Sequence, residues 1–83
     1  MNNHTVYTRQ QLADMILAHG WVWPKITHTS LLESHTDHDV YLIEFIVEES
    51  GDPVTAWRKL AVSTTRESHE DLWVIAAGHG DLD

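Results

Sequence analysis

From Thr8 to Gly20, Leu12, Met15, Ile16 and His19 recur at helical spacing while Arg9, Gln10 and Asp14 occupy the other side. A stripe of this kind predicts an amphipathic helix that buries one face. Its ends carry matching signals. Thr8 and Gln11 form a Thr-x-x-Gln capping box, Tyr7 and Leu12 are placed to staple the first turn, and Gly20 supplies a left-handed stop. The Trp21-Val22-Trp23-Pro24 segment cannot continue the helix, because Pro24 lacks an amide proton and pushes its predecessor to extended geometry. It reads as a connector packed by its indoles, one turned inward and the other outward.

After the connector the period shortens to that of strands. Lys25–Ser34 is rich in Thr and Ile, and Ser34 to His38 is a polar loop leading into the second strand, Asp39–Glu49. Glu49-Ser50-Gly51-Asp52-Pro53 is the next turn, followed by strands at Val54–Ser63 and Leu72–Ala77. The polar stretch from Thr64 to Asp71 reads as a loop or one helical turn, and residues 1–5 and 79–83 as fraying ends. The pattern predicts a single α+β domain over residues 1–83, one N-terminal helix on a four-stranded, mainly antiparallel meander.

Within Asp39–Glu49 both strand faces are apolar. Tyr41, Ile43, Phe45 and Val47 share the face expected under the helix, and Val40, Leu42 and Ile46 share the other with Glu44 and Glu48. A single helix covers one side of a sheet, so the second set is expected to need another cover: a second copy of the chain, a different protein, or the chain's own C-terminal strand curling across.

Charge sharpens that picture. The chain has 13 acids against 5 bases, a formal charge of −8. Glu33, Asp37, Asp39, Glu44, Glu48, Glu49 and Asp52 all lie between Lys25 and Arg58 with no Lys or Arg among them. This balance opposes direct binding to nucleic acid, which needs cations to displace phosphate counterions, and suits a basic protein partner. Val40, Leu42, Glu44, Ile46, Glu48 and Glu49 form the candidate partner-binding surface, joined by Trp57 beside Arg58 and Lys59 as a flat cation or base platform.

The chain has no cysteine, which removes disulfides, thiolate metal sites and a cysteine nucleophile, and fits a reducing cytoplasm. The first residues, MNNHTVYTRQQ, do not read as a secretion signal, and no apolar run approaches the roughly 20 residues that span a bilayer, so the expectation is a chain that is neither exported nor membrane-spanning. Seven histidines are spread along the chain, and one local cluster, His35, Asp37, His38 and Asp39, combines imidazoles and carboxylates suited to Zn²⁺ or Ni²⁺. Solvated turn residues are the competing account of that cluster. His19 on the apolar stripe reads as a core histidine, and His69 beside Glu67, Glu70 and Asp71 as a surface one.

No nucleophile elbow or phosphate-cradling glycine loop accompanies the serines and histidines. Glu44, alternating with apolar neighbours, is the carboxylate best placed for a raised pKa, and a pocket around Glu44, His19 and His28 is the enzymatic alternative. The leading expectation is a small acidic, non-catalytic module that acts stoichiometrically as a homodimer, an inhibitor or regulator of a basic nucleic-acid-binding protein. A His-rich metal-binding module and a small enzyme or enzyme subunit are the alternatives.

Overall fold

A computed structural model describes residues 6–64 and 72–79. Helix α1 (Arg9–His19) is followed by β1 (Ile26–Ser34), β2 (His38–Glu49), β3 (Asp52–Ser63) and β4 (Leu72–His79). The strands form one antiparallel sheet in the order β1-β2-β3-β4, the α+β meander that the sequence pattern predicts. The expected loop or helical turn before β4, the surface role of His69 and the ends of the chain fall outside the described residues. His79, expected in the fraying tail, is the last residue of β4.

Local chemistry sets the helix ends. The Gln11 N–H donates to Thr8 Oγ1 at 3.1 Å and the Thr8 N–H donates to Gln11 Oε1 at 2.9 Å, so the capping box is complete. Loss of such a cap costs about 1 kcal/mol. At the other end Gly20 has φ 104°, and the Gly20 and Trp21 amides donate to the carbonyls of Leu17 and Ile16, closing a Schellman turn.

The β2–β3 hairpin turns on Ser50 and Gly51, with φ of 53° and 85°. Two positive φ values in a two-residue loop match the right-handed twist of the strands they join, so the turn is tighter than the five-residue one expected. Pro53 therefore falls inside β3, paired with Glu48 near the hairpin tip, where no flanking strand asks for its missing N–H.

The core lies between α1 and one face of the sheet. Leu12, Met15 and Ile16 meet Tyr41, Ile43 and Phe45 of β2, Ala56, Leu60 and Val62 of β3, and Leu72 of β4. Both the helical stripe and the inward face of β2 are as the periodicity predicts. Tyr41 also closes a polar contact: its hydroxyl accepts the Tyr7 N–H at 3.1 Å, and burial pushes its pKa up.

Trp21 and Trp23 do not diverge as expected. They stack at 5.1 Å between centroids and 5° between planes, and Trp23 stacks in turn on Phe45 at 5.6 Å. Residues two apart on an extended segment share a side, and it is the exposed Val22 between them that takes the other. His19 leans on this ladder, 3.9 Å from the Trp21 ring centroid, with a buried Nδ1 that has no hydrogen-bond partner rather than the backbone bond of a core histidine.

Candidate functional site

The face of the sheet turned away from α1 carries the predicted docking residues, and the structure closes part of it. Val40 is 2% exposed and Leu42 6% in the single chain, so neither is free to meet another molecule. β2 is an interior strand. Leu42 sits between Ser30 of β1 and Lys59 of β3, and Val40 between Glu33 and Ala61. Flanking side chains on both sides, with the half-buried Lys59 stem and Trp57 indole along the same face, account for the burial. Glu44 and Ile46 are half-buried, while Glu48 and Glu49 are exposed.

Those last two belong to a projecting element. Pairing of β1 with β2 ends at Ile26 and Phe45, and pairing of β4 with β3 ends at Ala56 and His79. The pairs from Ile46 with Thr55 to Glu49 with Asp52 therefore stand beyond both flanking strands as a two-stranded finger. At about 3.4 Å per residue it extends roughly 10 Å from Ile46 to Glu49 before the turn. Glu48, Glu49 and Asp52 crowd its tip, all exposed, and one Glu49 carboxylate oxygen lies 3.4 Å from His79 Nδ1.

Trp57 is not an open platform. It is half-buried, and its indole lies across Gly78 of β4. The exposed aromatic is instead Trp73, and with it come Val74 and Ile75, at 44%, 38% and 50% exposure on the outermost strand. Periodicity treated this run only as a strand; its uncharged, unbroken apolar character is that of an interior strand, so nothing in its composition signalled that it lies at an edge.

The His35–His38 region forms a hairpin turn closed by the His35 N–H donating to the His38 carbonyl at 2.8 Å. The two rings stack at 4.5 Å, and each is engaged by a carboxylate, His35 Nε2 with Glu33 at 2.7 Å and His38 Nδ1 with Asp37 at 2.7 Å. His38 also packs 5.7 Å from Trp73. The hydrogen bond from His38 is the main reason the Asp37 carboxyl lies below its ordinary pKa. Asp39 faces the helix side of β2, next to His38 in sequence but on the opposite face, and its carboxylate accepts the Ser34 hydroxyl at 2.9 Å. The four predicted ligands are thus not gathered, and among the described residues no three His, Cys, Asp or Glu form a group that could hold a metal ion.

Glu44 and His28 are cross-strand partners on the face away from α1, whereas His19 lies at the helix end on the other side. The residues of the enzymatic alternative do not share a pocket. The groove between helix and sheet is instead shallow and lined by Arg9, Gln10, Ala13, Trp23, Lys25 and Ile26. With Arg58 over Phe45 at 5.1 Å and over Trp23 at 5.9 Å, three of the chain's bases, Arg9, Lys25 and Arg58, sit on the helix side.

No helix among the described residues is long and apolar enough to cross a membrane. No protein-family model, curated protein or solved structure matches this chain.

Proposed function

We propose that this chain is a small non-catalytic module that works by binding a basic protein stoichiometrically, as an inhibitor or regulator of a protein whose positive groove serves nucleic acid. The observation that carries the reading is the β2–β3 finger, which presents Glu48, Glu49 and Asp52 in solvent beyond the rest of the sheet. Carboxylates held on a stiff hairpin offer a negative surface narrow enough to enter a groove shaped for a phosphate backbone. With no Lys or Arg from Ile26 to Trp57, nothing along that element offsets its field.

The test is capture from the native source, identification of the retained protein, and calorimetry with that protein purified. The reading expects a basic partner, saturation at a simple whole-number ratio, displacement of the partner's nucleic acid, and loss of binding when Glu48→Gln, Glu49→Gln and Asp52→Asn are combined. Binding that survives the triple substitution rejects the finger as the contact, and a captured partner that is acidic rejects the mimicry.

A further inference from the structure

We propose that two copies of this chain clasp through their fingers, each acidic tip seated on the positive groove at the foot of the other's finger. The inference rests on the reading of the finger as an acidic contact surface, and it adds a resting form in which the cations of a second copy cover that surface.

The groove between helix and sheet lies at the finger's foot. Trp23 and Ile26 line it, and the pair of Ile26 with Phe45 is the β1–β2 pair next to the finger's first residue, Ile46. Arg9 and Lys25, both exposed, border an open volume of about 370 Å³. They are two of only five bases in a chain with 13 acids, yet neither has a carboxylate partner among the described residues. Arg9 Nη1–H donates to the Thr27 carbonyl at 3.4 Å, and Asp14, the acid on the same helix, accepts from Gln10 Nε2 at 3.0 Å. The tip shows the converse. Glu48, Glu49 and Asp52 are exposed, and among the described residues their one contact with a basic side chain is that of Glu49 with His79 at 3.4 Å.

Two surfaces of opposite sign thus stand without ionic partners at the two ends of one finger, separated by roughly 10 Å of strand. A two-fold axis across two antiparallel fingers brings tip to foot twice, so both copies match their charges in one self-complementary contact. Between the ends, Ile46, Val47, Val54 and Thr55 are uncharged and half-buried, so no like charges face one another at the axis. Because tip and foot lie at the same end of the sheet, the contact closes after two copies instead of propagating.

Overall charge sets the strength of the clasp. Each copy carries −8, and their mutual repulsion is largely screened beyond about 8 Å at physiological ionic strength, which leaves the short-range pairs of opposite sign to act. A contact confined to finger and groove is small, and small contacts belong to weak, transient complexes. A basic protein that offers the tip more cations than Arg9 and Lys25 therefore displaces the second copy.

Sedimentation equilibrium of the purified full chain at physiological salt, up to about 1 mM, tests this. Two charge-reversed variants are compared with it: a groove variant, Arg9→Glu with Lys25→Glu, and a tip variant, Glu48→Lys with Glu49→Lys and Asp52→Lys. All five positions are exposed, so circular dichroism should be unchanged. The expected result is a concentration-dependent rise toward twice the chain mass for the wild type, a single chain mass for each variant alone, and a return to twice that mass in their equimolar mixture. Both variants stay net negative, so recovery in the mixture reports matched surfaces and not overall attraction. A wild type that stays monomeric, a dimer that survives either reversal, or a mixture that does not associate overturns the proposal. Should a variant fail to fold, a wild-type dimer that persists undiminished at 1 M salt, where screening acts over about 3 Å, overturns it instead. A monomeric wild type that still binds a basic protein through its finger removes the clasp alone, and a clasped dimer without such a partner removes the mimicry alone.

Discussion

Trp57 lies so close over Gly78 that a Cβ added at residue 78 would come within 2.5 Å of the indole Cζ2 and 2.8 Å of its Nε1. The two are register partners on β3 and β4, so the glycine is the space into which the indole folds. This contact seals the end of the face away from the helix and takes Trp57 out of service as a free platform. Gly78→Ala is expected to cost about 1–3 kcal/mol through overpacking, although alanine is ordinarily the better residue in a strand. Thermal melts should show it, at about 4–8 °C per kcal/mol for a domain of this size.

Arg58 faces the helix side of β3, where its guanidinium lies 5.1 Å over Phe45 and 5.9 Å over Trp23 while Nη1–H donates to the Trp57 carbonyl at 2.9 Å. It ties the indole ladder of the connector to the sheet. Arg58→Ala should lower the urea stability by about 1–2 kcal/mol, from the lost cation–π contacts and packed stem together. Arg58→Lys should recover part of that, since it keeps the charge and loses the planar stack.

The hydrogen bond from His38 holds the Asp37 carboxyl below its ordinary pKa, with the charge of His38 and His35 adding to the effect. A folded-state value below the unfolded one means the contribution to stability is present above the unfolded pKa and is lost as pH falls through the folded one. Carbon-detected NMR titration should place the Asp37 carboxyl below its ordinary value, and His38→Ala should return it toward that value. An Asp37 titration indifferent to His38→Ala would show that the bond does not hold the carboxylate in solution.

What was legible in the sequence is what local chemistry fixes. Thr8, Gln11 and Gly20 mark the helix ends because their partners lie within a few residues, and Tyr41, Ile43, Phe45 and Val47 are all apolar because that part of β2 packs under one helix. The fate of the other face was not legible. Val40 and Leu42 are closed by neighbours on β1 and β3, and which long side chains flank a given position depends on register, which a single strand does not display. Likewise His38 and Asp39 look like joint ligands in the sequence, yet adjacent residues of a strand face opposite ways. That the finger projects follows from the length of β2 and β3 relative to β1 and β4, a difference hidden by the turn residues around Ser50.

Among the described residues no three His, Cys, Asp or Glu form a group that could hold a metal ion, the His35–His38 hairpin included. Thermal shift assays with Zn²⁺ or Ni²⁺ are expected to give the same small response for the wild-type chain and for His35→Ala with His38→Ala. A stabilisation by metal that this pair of substitutions abolishes would restore the hairpin as a metal site.

The finger makes a claim about rates. Stopped-flow association with the purified basic partner, followed from low to high salt, measures it most directly, because attraction between exposed charges is screened over about 8 Å at physiological ionic strength. Encounter through Glu48, Glu49 and Asp52 predicts a rate constant that falls steeply with salt. It also predicts that the triple neutral variant is slower by about tenfold or more at low salt and converges on the wild type at high salt. Equal rates for the two proteins across the whole salt range would contradict it.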